Sequence, residues 1–410
     1  MSEDRPDYET PQDPYSYYWY PAPPPPADHA DPTGPGGSPP RRRGRAAMAA
    51  IAAAFVLLAS GVLIGVGLND SGSPQHVALG GNNSSSTGSI AGKVTPGVVD
   101  VNTFVSFGPY PFTKSNSTPL GAGTGMVLTP TGEVLTNNHV IEGATSIQVT
   151  SPSLGKTWDA TVLGADPTHD VALIQLQGAS GLRTVNVANS SPTLGSGVVA
   201  IGNALGQGGS PTVTQGSITA TGRDINVGDG RGGFEHLQNL LQTDAPISPG
   251  DSGGPLVNTS GQVIGIITAS ARSDASQSSS HIGYAIPATD ALDIVQQVRA
   301  GHGNASIIIG PAGFLGVQVR DMTAAQAARL GLNVTSGALI VGVVKGAPAE
   351  SAGIARGSVI TAVNGQSVNS GDALGPLLHA HRPGSTVQVT WVDSSGTHTA
   401  NVQLVAGPAV

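Results

Sequence analysis

At 410 residues the chain exceeds the roughly 250–300 at which a single core stops growing, so several domains with tails are expected. With 58 glycines, 4% aromatic and 11% charged residues, it suits short strands joined by glycine turns better than a helical bundle. The net charge of -8, with Lys and Arg scattered outside residues 41–45, offers nucleic acid no basic stripe. The absence of cysteine excludes disulfides, a thiol nucleophile and Cys-ligated zinc.

Residues 1–45 are crowded with Pro and Tyr ("YSYYWYPAPPPP"), a composition that stays extended and solvated and closes no core. The uncharged run 46–68 follows. As a helix it reaches about 34 Å, enough for a hydrocarbon layer of ~30 Å. The preceding "RRRGR" sets the amino-terminal side in the cytoplasm, so the reading is a single-pass membrane protein exported after Leu68. A cleaved signal peptide competes, but the run exceeds the usual apolar length and a long tail precedes it. Residues 69–93 form a Gly/Ser/Asn tether.

From residue 94, short alternating or apolar runs recur between turn residues: "TGMVLTP", "GEVLTNNHV", "SIQVTSP", "DVALIQL", "GVVAIGN", "GQVIGIITA" and "GYAIP". This rhythm predicts an all-β barrel or sandwich. "ATDALDIVQQVRAG" breaks it with a predicted helix, placing Ala291, Leu292, Val295 and Val298 on one face and ending at Gly301. The first domain is thus set at 94–301. A second unit, 310–407, holds strand-like "LIVGVV", "VITAVNG" and "TVQVTWVD", with helical runs near 323–330 and 373–380.

"GDSGGP" (250–255) raises the question of chemistry. A serine hydroxyl attacks a carbonyl only with an imidazole beside it to take its proton, and the imidazole needs a carboxylate to fix its tautomer. His139 in "LTNNHV" ends a strand pattern, and Asp170 in "HDVALIQL" opens one; Asp166, ahead of Pro167 in a turn, is the rival carboxylate. Gly250 can adopt a backbone that points its amide, with that of Ser252, at a developing oxyanion, each donor being worth about 3 kcal/mol. Gly253 and Gly254 permit close approach. The order His, Asp, Ser is that of the chymotrypsin-like arrangement. The triad requires no cofactor, and no His/Asp cluster has metal spacing.

"GTGMVLTPTGEVLTNNHVIEGA", "DVALIQL" and "QTDAPISPGDSGGPLVNTSGQVIGI" together resemble the HtrA (Deg) serine proteases, above all single-PDZ actinobacterial members, over residues 94–405. The resemblance implies a mostly β protein: a chymotrypsin-like double β-barrel, a carboxy-terminal PDZ domain and one amino-terminal transmembrane helix. It implies Ser252 as nucleophile, His139 as general base, Asp170 as its partner, and the Gly250 and Ser252 amides as oxyanion hole. Asp251 departs from the asparagine more usual there; with no new amino terminus to pair with, it is expected to serve local hydrogen bonding. In that arrangement Pro246, Ile247 and Ser248, with Ile267, Thr268 and Ala269 along the adjoining strand, line the first substrate pocket. Being uncharged, they predict small or medium aliphatic residues there, and a Ser-rich loop follows them.

"GFLGVQV" with "GVVKGAPAESAGIARGSVITAVNGQSV" is similar to the PDZ domains these proteases carry, although Ser358 replaces a usual aspartate. There Phe314, Leu315, Gly316 and Val317 would present amides to a peptide's terminal carboxylate while the peptide adds a strand. The family further implies unfolded or damaged exported proteins as substrates, and a homotrimer with Phe104, Phe107, Tyr110 and Phe112 as its packing aromatics. Two alternatives stay open: a regulatory protease for one signalling protein, and a non-catalytic peptide-binding or chaperone-like protein.

Overall fold

The computed structural model describes residues 84–114, 117–203, 206, 208–228, 234–271 and 282–410. The Pro/Tyr-rich tail, the apolar run 46–68, most of the tether and most of the Ser-rich loop lie outside them. Among the described residues no helix is long and apolar enough to cross a membrane.

The tether expected over 69–93 gives way at its far end to helix α1 (Ser84–Val94). The cause is a short apolar stripe: Ile90, Ala91 and Val94 are buried with Val185 and Val263, so ordered chain begins earlier than residue 94. Six strands follow: β1 (Val98–Ser106), β2 (Ser117–Val127), β3 (Glu133–Thr136), β4 (Ser146–Ser151), β5 (Lys156–Asp166) and β6 (Val171–Leu176). They pair in the order β5-β4-β1-β2-β3-β6, and β5 also pairs β6, which closes the ring. A one-turn helix, α2 (Asn138–Ile141), is inserted after β3. Alternation sets the register: in β4, "SIQVTS", every second residue is buried, so Ile147 and Val149 face the barrel interior.

The second barrel is closed as β10-β11-β12-β9-β8-β7. Its strands are β7 (Gly197–Gly202), β8 (Thr212–Gly228), β9 (Phe234–Thr243), β10 (Pro255–Asn258), β11 (Val263–Ala271) and β12 (Ile282–Pro287). Helix α3 (Ala288–Ala300) ends at Gly301 in the left-handed conformation (φ 71°), as its sequence predicts. Its buried face is Ala291, Ile294, Val295 and Val298; Leu292, expected there, is only half-buried. The first unit also runs past 301, because β13 (Ile308–Ile309) pairs with β5.

The remaining strands are β14 (Gly313–Phe314), β15 (Val317–Asp321), β16 (Ala338–Val343), β17 (Val359–Val363), β18 (Gln366–Ser367), β19 (Thr386–Asp393), β20 (Gly396–Gln403) and β21 (Val405–Ala406). Helices α4 (Ala324–Leu330), α5 (Pro348–Ser351) and α6 (Leu374–His379) accompany them; α4 begins with a capping box between Thr323 and Gln326. The main sheet runs β15-β16-β17-β19-β20, so β15 is an edge strand, and the sheet shields its own core of Leu315, Ile340, Ile360, Val389 and Trp391.

One buried group stands out in the first barrel. Asp100, in β1 opposite Thr124 on β2 and Thr150 on β4, is 3% exposed, and its Oδ1 has no hydrogen-bond partner. Burial pushes its carboxyl up to about 6 from an ordinary 3.8. Since the folded value lies above the unfolded one, folding takes up a proton between about pH 4 and 6. The cost of ionising Asp100 is therefore absent below about pH 4 and complete above about pH 6, at up to about 3 kcal/mol. Asp100→Asn is expected to raise the unfolding free energy at pH 7.5 by about 1–3 kcal/mol and at pH 4.5 by only about a third as much. Denaturant titrations at the two pH values check this; an equal effect at both contradicts it.

Candidate active site

His139 lies on α2, entered directly from β3, so a one-residue link, Asn137, converts strand into helix and turns the imidazole outward. Asp170 ends the turn immediately before β6 in the left-handed region (φ 53°), a conformation Asp tolerates better than most residues. Its backbone carbonyl accepts from Asn137 Nδ2 at 2.9 Å, which ties the bend to the residue before the helix. The carboxylate is fully buried and satisfied on both oxygens. Oδ1 accepts from the His139 amide at 2.9 Å; Oδ2 sits 2.8 Å from His139 Nδ1 and accepts from Thr268 Oγ1 at 2.5 Å. With Nδ1–H committed to the carboxylate, Nε2 carries the lone pair, and the imidazole side chain is 37% exposed.

The rival carboxylate is elsewhere. Asp166 accepts from the amides of Thr168 and His169 and pairs with His169 Nδ1 at 2.8 Å, closing the turn before Asp170.

Ser252 follows β9 in the loop before β10. Its Oγ donates to the Thr268 carbonyl at 3.1 Å. Thr268 thus joins carboxylate and serine, its hydroxyl on Asp170 and its carbonyl on Ser252. Gly250 has φ 95° and Gly253 φ 85°, both closed to ordinary side chains. Among the described residues, no acceptor takes the amides of Gly250 or Ser252, whereas those of Asp251, Gly253 and Gly254 bond to Ser248, Ile267 and Asp251 carbonyls. A Cβ on Gly253 would collide with the Thr124 carbonyl, and one on Gly254 with that of Ile201.

Asp251 is buried. It accepts from the Ser248 amide at 2.8 Å and from Thr212 Oγ1 at 3.3 Å. Burial pushes its carboxyl above the usual carboxylate range, against those two hydrogen bonds.

Of the six residues expected along the first substrate pocket, Pro246, Ile247 and Ser248 are half-buried, and Ile247 packs under Gly283, where any Cβ would strike it. Two others have different surroundings. β11 is covered on both faces, so Ile267 (1% exposed) enters the barrel core with Ile218, Leu241 and Leu256, and the Thr268 hydroxyl is held by Asp170. Ala269 continues β11 opposite Tyr284.

In the C-terminal sheet, Leu315 and Val317 bury their side chains. The Leu315 and Gly316 carbonyls accept from the amides of Ala349 and Val344. Gly316 has φ 85°, and a Cβ there would meet Ala347. Among the described residues the Leu315 and Gly316 amides meet no acceptor, beside the edge strand β15. The four aromatics expected in a trimer contact have these surroundings within the chain. The Tyr110 amide donates to the Lys345 carbonyl at 2.8 Å, and the Phe112 ring lies 5.9 Å from that of Phe314. Phe104 is half-buried within β1, and Phe107 is 53% exposed.

Known proteins confirm this architecture. A trypsin-like peptidase domain matches residues 123–266 and a PDZ domain matches 313–404. Serine protease PepD of Mycobacterium tuberculosis is 34% identical over 397 residues, 90% of this chain and 80% of that protein. The chain belongs to the HtrA family of serine proteases. The Do-like HtrA of Lactococcus lactis is 34% identical, with 69% of this chain and 70% of that protein aligned. A probable periplasmic DegP-like endoprotease of Rhizobium meliloti is 37% identical over 294 residues, 71% of this chain. The chain spans about half the length of that DegP-like relative, 54%.

Within this HtrA chain, sequence reasoning missed Thr124 and the double role of Thr268. The signal for Thr124 was its flanking glycines: a strand reading "GTG" marks close approach of another backbone. Asp251→Asn is expected to keep kcat/KM within tenfold of wild type, since an amide oxygen can still accept from the Ser248 amide. Peptide hydrolysis measures it, and a larger loss contradicts a merely local role.

Proposed function

We propose that this protein is a membrane-anchored, extracytoplasmic serine endopeptidase that cleaves misfolded or exposed-terminus proteins after small or medium aliphatic residues. One observation carries the reading: a buried carboxylate on the imidazole of His139 is joined through Thr268 to Ser252, beside two open amides. On substrate binding the Ser252 hydroxyl leaves the Thr268 carbonyl for Nε2 of His139 and attacks the scissile carbonyl as its proton passes to the imidazole. Asp170 stabilises the imidazolium, and the Gly250 and Ser252 amides receive the oxyanion. His139 then returns the proton to the leaving amine, and water repeats the sequence on the acyl-enzyme.

The anchor is residues 46–68, with residues 1–45 cytoplasmic. Uncharged Pro246, Ile247 and Ser248 provide no partner for a basic side chain, which supports aliphatic specificity. The amides of Leu315 and Gly316 beside edge strand β15 suit the carboxy terminus of a peptide added to that sheet. A dedicated signalling protease is favoured by one contact, that of Tyr110 and Phe112 with the PDZ loops, because it gives a bound peptide a path to the peptidase unit.

Cleavage of an unfolded casein-like substrate by wild type, Ser252→Ala and a form lacking 310–410 tests the reading. Ser252→Ala is expected to lower kcat by about 10⁴-fold or more. Peptide-library profiling is expected to return Val, Ala or Leu before the cut. Serine-independent cleavage, or a clear Lys or Arg preference, overturns the respective part.

A further inference from the structure

Both oxyanion amides belong to a loop built largely of glycine, and glycine crosses between positive and negative φ at little cost. Within the loop, the peptide plane after Gly250 (φ 95°) is tied by the Asp251 amide, which donates to the Ser248 carbonyl at 3.1 Å, and a second, shorter tie on Gly250 comes from outside the loop. Thr124, on β2 of the first barrel, is fully buried against it. Its Oγ1 accepts from the Asn203 amide at 2.8 Å, so its own proton is committed to the Gly250 carbonyl at 2.7 Å. Its amide donates to the Ser252 carbonyl at 2.8 Å. Its carbonyl accepts from Thr136 Oγ1 at 2.7 Å, three residues ahead of His139.

These bonds act on defined peptide planes. Holding the Gly250 carbonyl fixes the plane between Gly250 and Asp251, and holding the Ser252 carbonyl fixes the plane between Ser252 and Gly253. The plane between them carries the Ser252 amide and is pinned by the bond from the Gly254 amide to the Asp251 carbonyl. Without the threonine hydroxyl, the Gly250 carbonyl loses its anchor. With only the longer bond from the Asp251 amide to the Ser248 carbonyl left on that plane, the glycine rotates more freely, turning the amide of Gly250 out of the site while the backbone bond to Ser252 persists.

We infer that Thr124 is a positioning residue: through its side-chain hydroxyl, the first barrel holds the oxyanion loop of the second in its donating form. This rests on the serine protease reading above. The role differs from that of Asp170, which orders the base, and it requires no contact between Thr124 and substrate.

The full chain with Thr124→Val, which keeps the β-branched shape and the backbone amide but lacks the hydroxyl, tests the inference alongside Thr124→Ser, which keeps the hydroxyl. Thr124→Val is expected to lower kcat on a peptide substrate by about 10- to 100-fold, short of the roughly 100- to 1,000-fold seen when an oxyanion donor is removed outright, because the Gly250 amide is loosened and not deleted. KM is expected to stay within about threefold. Affinity for a peptide boronate, whose oxygen occupies the oxyanion position once Ser252 adds to boron, is expected to fall by the same factor as kcat. Thr124→Ser is expected to stay within about threefold of wild type in all three. Thr124→Ala is read the same way as the valine variant and keeps the test open if that variant fails to fold, as judged by thermal unfolding. An unchanged kcat, a fall in kcat without loss of boronate affinity, or a serine variant as impaired as the valine one overturns the inference while leaving the protease reading intact. A wild type that neither cleaves nor binds the boronate overturns both.

Discussion

A fully buried carboxylate with a hydrogen-bonded partner on each oxygen is the constraint on which the site depends. Moving an ionised carboxylate out of water costs several kcal/mol unless charged or polar partners replace the water, and an unsatisfied oxygen leaves that cost in place. At Asp170 the replacements come from different parts of the fold: the amide and imidazole of His139 on the first barrel, and the hydroxyl of Thr268 on the second. Each barrel therefore supplies something the other cannot. If the barrels part, Asp170 loses the Thr268 hydroxyl, whereas Ser252, on the same barrel as Thr268, keeps its bond to the Thr268 carbonyl but is drawn away from His139.

The same economy recurs around Thr124. There the strand of the first barrel satisfies two carbonyls of a glycine loop in the second, and glycines 253 and 254 are required because neighbouring backbone leaves no room for a Cβ. Helix α3 adds a covering element: its apolar face lies in the core cluster that also contains Val171 and Leu173 of β6, and Arg299 pairs with Glu133 on β3. The inter-barrel seam is where sequence, packing and chemistry converge. A further tie runs from the C-terminal unit, whose Ala409 exchanges backbone hydrogen bonds with Gly143 and Ala144 just after α2.

The fold was largely legible because its signals are local. Alternation announced the strands, Gly301 announced the end of α3, and "GDSGGP" announced a loop in which Gly250 and Gly253 take positive φ. The candidate triad was legible as residue types in order, with Asp170 set against Asp166 by its place at a strand start. What stayed hidden depends on which face a strand buries. Ile267 read as pocket lining because one strand sequence looks the same whether one face or both are covered. Thr268 read likewise, although its hydroxyl turns to Asp170. α1 was hidden in a Ser/Gly-rich stretch whose helicity comes from burying Ile90, Ala91 and Val94 against another element, a tertiary gain that intrinsic propensity does not carry. The partners of Tyr110 and Phe112 were equally out of reach, since an exposed-looking aromatic run does not say what it will meet.

The account's central claim is that the Asp170 carboxylate holds His139 in the tautomer that can accept the serine proton. Steady-state kinetics of Asp170→Asn on a peptide substrate tests it most directly, with thermal unfolding recorded on the same sample. The account predicts a variant that still unfolds cooperatively and whose kcat is lower by about 10⁴-fold, because an amide at this position favours the wrong tautomer. A folded variant with kcat within tenfold of wild type would contradict it.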